Sequence, residues 1–380
     1  MEFIALPVKN GDSFLLKDKN FNLLVDGGNG QTRIIKYIKK YTNNLNVVIC
    51  THYDGDHIKG LLDLFEDVFC YSNLIAISMR ERAWSEGEIK RYIEKRIKRI
   101  INEKLVTFDE IWLPDIFGRI ALFKRQKTRG IIIPKDRDEV SILMEDRKEY
   151  KYGEKKYEVD KKRYEEAIYR NKEGVDMAIN TICELVRKCH RLVEEYGVKI
   201  RWFTYVNEIK NEHIKHNIYA INCEELDRRI EPYGSEEEMI YQFTQINRES
   251  LVFRYNEAEE GSGLPNVLFT ADSNFEFCRG EKVPFNQRVA IVTVPHHGSR
   301  DKEHKKVYEN LEEDMDYVFV RSSERHKSRP SEEYKKYPRA KRYCIRCGSE
   351  GSDQQTVHLK FNERKKKWDP ATGVVNCTCV

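Results

Sequence analysis

Four side chains able to ligate a metal, His52, Asp54, Asp56 and His57, fall within six residues of one another. They follow Val47-Val48-Ile49-Cys50-Thr51, a β-branched run long enough for a buried strand. Alternate positions on an extended backbone point the same way, so His52 and Asp54 share a face toward one cation. A turn at Gly55 swings Asp56 and His57 toward a second. Imidazole and carboxylate donors suit Zn²⁺ or Mn²⁺. Two such ions about 3.5–4 Å apart activate water and steady a leaving oxygen. A polar loop with capping Asp residues and surface histidines is the plain alternative, and four potential ligands in six positions argue against it.

The elements that must hold this loop read as alternating strands and helices. Residues 2–8 and 12–17 are short strands around Lys9-Asn10-Gly11, and Phe21 to Val25 is a third, stopped by Asp26-Gly27-Gly28. Ile34, Ile35 and Ile38 give Gln31–Tyr41 helical spacing, and Leu61–Phe69 is a second helix. Ser85 caps a third, striped by Ile89, Ile93, Ile97, Ile100 and Ile101, whose basic far face is either solvated or the wall of a nucleic-acid groove. Asp109 to Pro114 returns to strand. Residues 118–196 are highly charged and helical near 137–151, 155–170 and 174–196, where Met177, Ile179, Ile182, Leu185, Val186, Leu192 and Val193 form a stripe that needs a partner. Strand character resumes at Val198–Val206 and Ile218–Cys223, and Gly234-Ser235 with three glutamates opens a further helix. Later apolar runs end on Asp272, on His296-His297 and at Ser322-Ser323.

Length and charge set outer bounds. A chain of 380 residues buries a large core. Lys+Arg 67 against Asp+Glu 63 gives +4, too little to announce nucleic acid, so local patches matter more than the total. No apolar run has the length of a membrane span and no signal peptide opens the chain, which points to a soluble, cytoplasmic protein with no membrane partner. Ten cysteines without such a signal read as reduced thiols.

The stretch His52–His57 resembles the His-x-His-x-Asp-His motif of the metallo-β-lactamase superfamily, with Asp54 in place of the usual second His. That variant, continued as Ile58-Lys59-Gly60, is similar to the soluble hydrolase domain of the DNA-uptake protein ComEC and its stand-alone relatives. Gly11-Asp12-Ser13-Phe14-Leu15-Leu16 with Asn22 to Gly28 is similar to the opening hairpin of that group. Asn247-Arg248-Glu249-Ser250 resembles its Asn-x-x-Ser strand, and Thr270-Ala271-Asp272 its Thr-Gly-Asp, with Ala for Gly. Pro295-His296-His297-Gly298-Ser299 matches its Pro-His-His-Gly-Ser signature. The strand Tyr317–Ser323 leads in the group to a closing His-Pro; here that dipeptide is Arg329-Pro330, with His326 three residues earlier.

The resemblance implies an α/β fold, the αββα metallo-β-lactamase sandwich, carried by residues 1–117 and 246–343. Residues 118–245 would be a mainly helical insertion returning to strands, serving as a substrate-restricting cap or a protein-partner surface. Residues 344–380 would be a Cys-containing tail. Metal ligands would be His52, Asp54, Asp56, His57, Asp272 and His296, with Asp272 bridging two divalent ions, Zn or Mn. Asp56, Asp272 and His297 would be catalytic; of the two adjacent histidines, one binds metal and the other meets substrate or orients a ligand. Asp26, Asn247 and Ser250 would brace the site, Asp26 otherwise being a plain turn residue. Ser299 and either Arg329 or His326 would face a phosphate.

Fold alone does not select a substrate. Nine Lys/Arg between Arg325 and Arg346 interleave with Tyr334, Tyr337 and Tyr343, a composition that holds phosphates and stacks bases. With the resemblance, this favours a nuclease acting on DNA through a metal-activated water; a small phosphodiester hydrolase or a metal-containing partner-binding subunit are the other classes. Finally, Cys344-x-x-Cys347 and Cys377-x-Cys379 have the makings of a structural zinc site.

Overall fold

The computed structural model describes residues 1–80, 106–115, 184–185, 188–189, 191–193, 196–225, 249–256, 265–300, 304–322, 329–347 and 355–379, with the backbone alone for 69–80. Two sheets form from these residues. The first has nine strands in the order β16-β15-β1-β2-β3-β4-β5-β6-β9: β1 Glu2–Ala5, β2 Phe14–Asp18, β3 Phe21–Val25, β4 Asn44–Ile49, β5 Thr107–Pro114, β6 Lys199–Tyr205, β9 Cys223–Glu225, β15 Val357–Asn362 and β16 Lys367–Pro370. The second has seven, in the order β14-β13-β12-β11-β10-β8-β7: β7 Glu212–Lys215, β8 Ile218–Ala220, β10 Phe253–Tyr255, β11 Asn266–Phe269, β12 Val289–Thr293, β13 Asp316–Arg321 and β14 Arg342–Cys344.

The apolar runs explain the centre of each sheet. Strands β3, β4, β5 and β6 pair in parallel, as do β11 through β14. Parallel strands covered on both faces read as continuous apolar runs, and Val47-Val48-Ile49 and Val289 to Thr293 do so. Aromatic rings bridge the two sheets: Phe3 and Phe14 meet Phe269 at centroid distances of 6.2 and 6.3 Å, and Trp112 and Phe203 meet Phe253 at 5.9 and 5.6 Å. The outer face of the second sheet is closed by α3 (Lys305–Glu309) and α4 (Glu332–Lys336), which contribute Val307 and Tyr334 to a second apolar cluster around Val292 and Phe319. The mixed α/β architecture with two sheets is consistent with a metallo-β-lactamase fold.

Several boundaries differ from the sequence reading. The span Gln31–Tyr41 contains only a four-residue helix, α1 (Ile35–Ile38). Helix α2 runs Gly55–Arg80, so it starts at the glycine expected to form a free turn. Strands β6 to β9 complete both sheets, so they belong with the core and not with an insertion. Within the Cys-containing tail, the strand β15 pairs antiparallel with β1, Leu359 opposite Phe3 and Val357 opposite Ala5. Alternation of Val357, Leu359 and Phe361 supplies its buried face. Leu185, Cys189 and Leu192 bury one helical face, while Val193, one step off that face, is 44% exposed. The helices expected at 89–101, 137–151 and 155–170, and the turn at 234, lie outside the described residues. Among the described residues no helix is long and apolar enough to cross a membrane.

Candidate metal centre and active site

The strands deliver their chemistry at one edge. Asp26 follows β3, Thr51 and His52 follow β4, Asp272 follows β11, His296 and His297 follow β12, and Ser322 follows β13. Because these strands run parallel within each sheet, their carboxyl ends gather in one crevice, the usual place for a ligand in α/β proteins. Asp12 enters the same edge just before antiparallel β2.

Close backbone packing fixes the loop. The Asp54 carbonyl accepts the amides of His57 and Ile58 at 2.9 and 3.1 Å, so Asp56 and His57 sit on the first helical turn of α2. The Gly27 amide donates to the His57 carbonyl at 2.8 Å and the Gly60 amide to the Gly28 carbonyl at 2.9 Å. A Cβ on Gly60 would overlap the Gly27 carbonyl, which leaves glycine as the residue that lets helix and turn meet.

Asp272, 2% exposed, lies at the centre of two groups. Its Oδ1 is 3.3 Å from His57 Nε2 and 3.5 Å from His297 Nε2, and His297 Nε2 is 3.2 Å from Asp56 Oδ2. Its Oδ2 is 3.9 Å from His52 Nε2 and 3.6 Å from His296 Nε2, and His52 Nε2 is 4.0 Å from Asp54 Oδ2. The carboxylate thus presents one oxygen to each of two imidazole pairs, each with a further Asp at its edge.

Buried carboxylates brace the imidazoles facing Oδ1. His57 Nδ1 lies 2.8 Å from Asp26 Oδ2, and Asp26 also accepts the Thr51 amide and hydroxyl at 2.8 and 2.7 Å. His297 Nδ1 lies 2.9 Å from Asp12 Oδ1, which also accepts the Ser322 hydroxyl. A carboxylate on Nδ1–H leaves Nε2 with its lone pair toward the crevice. Asp12 is the main residue that sequence reasoning misses, since nothing sets it apart from the rest of the hairpin. His304 is another, its Nε2 3.2 Å from His296 Nδ1 and 3.2 Å from the Asp272 carbonyl.

The electrostatics fit cations. Asp12, Asp26 and Asp272 are at most 2% exposed, and Asp54 and Asp56 stand at the rim. Burial alone would neutralise such carboxylates; His297 and His57 outweigh it and hold Asp272 well below the usual range. Burial likewise opposes charge on His297, yet Asp272 and Asp12 push its pKa up to about 10. Against the same penalty, Asp272 and Asp26 raise His57 well above its ordinary value. Burial, with charged His57 nearby, keeps His52 neutral, and burial also lowers His296. Three buried atoms, His52 Nε2, Asp272 Oδ1 and Asp12 Oδ2, have no hydrogen-bond partner among the described residues. Orphan nitrogen and oxygen donors converging in an acidic pocket are what divalent metals satisfy.

Other expected positions fall variously. Ser250 is fully buried beside the metal loop, where the Leu251 amide donates to the Thr51 carbonyl at 3.0 Å. The Ser299 amide closes the turn onto the His296 carbonyl at 2.9 Å. Arg329 is near enough to His296 to depress its pKa. Asn247 and His326 lie outside the described residues. The base-stacking tyrosines require correction. Tyr334 is fully buried with its hydroxyl on the Tyr343 carbonyl, Tyr343 is 4% exposed, and Tyr337 rests on Phe319 at 4.1 Å. Tyr334 faces the core from α4 and Tyr343 from the edge strand β14, while Tyr337 is half-buried, so the interleaving is structural for the first two. Cys344, Cys347, Cys377 and Cys379 come together, their sulfurs all within 4.8 Å of one another.

The half of the site supplied by the hairpin, the metal loop and the start of α2 is the half that comparison identifies. Residues 6–118 match the family model of the Metallo-beta-lactamase superfamily. The match takes in Asp12, Asp26 and the whole of His52–His57, and superfamily members are mostly metal-dependent hydrolases. No curated protein matches the chain. Among solved structures, the metallo-beta-lactamase fold protein YhfI from Bacillus subtilis aligns over 84% of this chain and 96% of its own, at 11% identity and a TM-score of 0.28.

Proposed function

We propose that the protein is a two-metal phosphodiester hydrolase, with nucleic acid, DNA in particular, as its first substrate class. The division of Asp272 between two imidazole pairs carries this reading, because a carboxylate that faces two donor sets suits two cations and not one. His57, His297, Asp56 and Asp272 Oδ1 would hold one ion; His52, His296, Asp54 and Asp272 Oδ2 the other. Bound there, two divalent cations, Zn²⁺ or Mn²⁺ by donor type, supply Lewis acidity and ease the deprotonation of water.

The chain's own groups do the rest. Asp26 and Asp12 hold the proton on Nδ1 of His57 and His297, leaving Nε2 free to donate its lone pair. Asp56, ionised because His297 and His57 outweigh its burial, is partly exposed at the mouth of the site and accepts a hydrogen bond from an entering nucleophile. Arg329, whose charge acts on His296, is the group this reading assigns to a phosphate. Resemblance to the ComEC-type hydrolase domain supports DNA. Burial of Tyr334 and Tyr343 favours a second reading, a small phosphodiester that needs no stacking platform.

The test is cleavage of labelled single- and double-stranded DNA and RNA, and of a small chromogenic phosphodiester, with Mn²⁺, Zn²⁺ or chelator. Metal-dependent cutting of DNA that Asp272→Ala abolishes without loss of fold is the expected result. Cleavage of the small ester alone would establish the second reading. Wild-type rates in Asp272→Ala would overturn both.

A further inference from the structure

A second cluster of metal-ligating side chains lies on the other side of β13, away from the hydrolytic centre. Cys344 ends β14, Cys347 follows it, and Cys377 and Cys379 return from the chain's last residues. Their segments are joined by the backbone: the Cys377 amide donates to the Arg342 carbonyl at 2.7 Å, and Asn376 bridges Tyr343. Cys347 Sγ and Cys379 Sγ are 3.4 Å apart, Cys344 Sγ and Cys379 Sγ 4.0 Å. A disulfide would bring a pair to about 2.05 Å. Tetrahedral Zn–S bonds of about 2.3 Å would set every pair near 3.8 Å. The observed spacing straddles the second value.

Two independent features demand negative charge on these sulfurs. Arg321 is fully buried, its Nη2 donates to Cys379 Sγ at 3.2 Å, and its Nε and Nη1 have no hydrogen-bond partner among the described residues. Burying a guanidinium without a counter-charge is strongly unfavourable, and the hydrogen-bond acceptor it meets among the described residues is the Cys379 sulfur. In addition, the Thr378 amide and hydroxyl both aim at Cys347 Sγ, at 3.2 and 3.4 Å. Donors converging on sulfur are the usual outer support of a thiolate–metal site. Four adjacent thiolates in turn require a cation.

We propose that Cys344, Cys347, Cys377 and Cys379 bind one tetrahedral Zn²⁺, with Arg321 as its buried counter-charge. The site fastens the chain's last segment to β13 and β14, and it bears on the hydrolytic centre through Arg321. That residue pairs in register with Cys344 and precedes Ser322, which holds Asp12. Its side chain also passes beneath the turn after His297, where a Cβ on Gly298 would lie 2.9 Å from Arg321 Cδ. Zinc here is a positioning element, since among the described residues the four cysteines form a group separate from that around Asp272.

The test is metal content and spectroscopy of the full chain. Asp56→Ala/Asp272→Ala protein should retain one zinc per chain, and Cys347→Ser/Cys379→Ser protein should lose that ion. Cobalt-substituted wild type should show thiolate-to-cobalt charge transfer in the near ultraviolet and the d–d bands of a tetrahedral site. Arg321→Gln should weaken zinc by about 10–100-fold in competition with a chromogenic chelator, as loss of an outer partner does. No thiolate-to-cobalt absorption in wild type, with all four thiols reacting freely in the folded, metal-saturated protein, would overturn the proposal even if the cysteine variant failed to fold.

Discussion

Gly11 tests the architecture of the candidate site more directly than any of the candidate ligands does. Its φ is +87°, and an added Cβ would land within bonding distance of the Asp56 carbonyl oxygen and 2.9 Å from Asp56 Cβ. Gly11→Ala therefore has two costs. The left-handed conformation costs about 1–2 kcal/mol for a residue with a Cβ, less what alanine recovers in the unfolded chain. Separating the new carbon from the carbonyl to an ordinary contact of about 3.5 Å requires roughly 2 Å of movement. The hairpin carrying Asp12 and the first turn of α2 carrying Asp56 and His57 would share that movement. Overpacking of this kind adds about 1–3 kcal/mol. A displacement of even about 1 Å at a catalytic group costs on the order of 100-fold in rate. Gly280→Ala is the matched control, since Gly280 has φ +91° and open space around its missing Cβ. The control pays the backbone cost alone. Denaturant midpoints and metal-dependent hydrolysis measured on both proteins separate the two costs. Gly11→Ala should lose about 2–4 kcal/mol and at least about 100-fold in kcat/KM, and Gly280→Ala about 1 kcal/mol and no activity. Equal losses in the two variants would refute the claim that this hairpin rests on the metal loop.

Three further outcomes are expected. Ala271 has φ +49° where the resembling proteins carry glycine, so Ala271→Gly should raise stability by about 0.5–1 kcal/mol at unchanged m, read from denaturant curves; a destabilised variant would show that the left-handed geometry is wrong. Asp12→Asn and Asp26→Asn should each lower Mn²⁺ affinity by about 10–100-fold by removing the charge behind His297 or His57, and calorimetric titration with unchanged affinity in both would remove them from the site. In the metal-free protein His297, with a pKa of about 10, and His57, also raised, carry protons at neutral pH that an incoming ion must displace. Apparent Mn²⁺ affinity should therefore rise between pH 6.5 and 8.5, about tenfold per unit for each imidazolium displaced, and a pH-independent affinity would contradict the charge assignment.

What could be read from the sequence divides along local and non-local lines. Asp26, His52, Asp56, His57, Asp272, His296 and His297 each follow an apolar run, so the residue type and the end of a strand are visible together within about ten positions. Asp12 carries no such mark. It occupies a polar hairpin turn, and its meaning comes from His297, 285 residues away. His304 is equally silent, a single imidazole in a charged segment. The tyrosines between Arg325 and Arg346 misled for the reciprocal reason: composition does not reveal which side of a short helix or edge strand meets the core, and Tyr334 and Tyr343 turn inward onto Phe319 and Ile345 territory.

The same distinction explains the chain's last residues. Alternation in Val357, Leu359 and Phe361 specifies a strand with one buried face but says nothing of its neighbour, which proves to be β1 at the opposite end of the chain. The pairing matters for the site. It anchors the strand that leads into the Gly11–Asp12 turn, while Cys344 and Arg321 anchor the strand that ends in Ser322. Asp12 is held between the two, accepting Ser322 on one side and supporting His297 on the other. The candidate ligands are thus set by local sequence, and their alignment is set by contacts that join the first twelve residues to the last sixty.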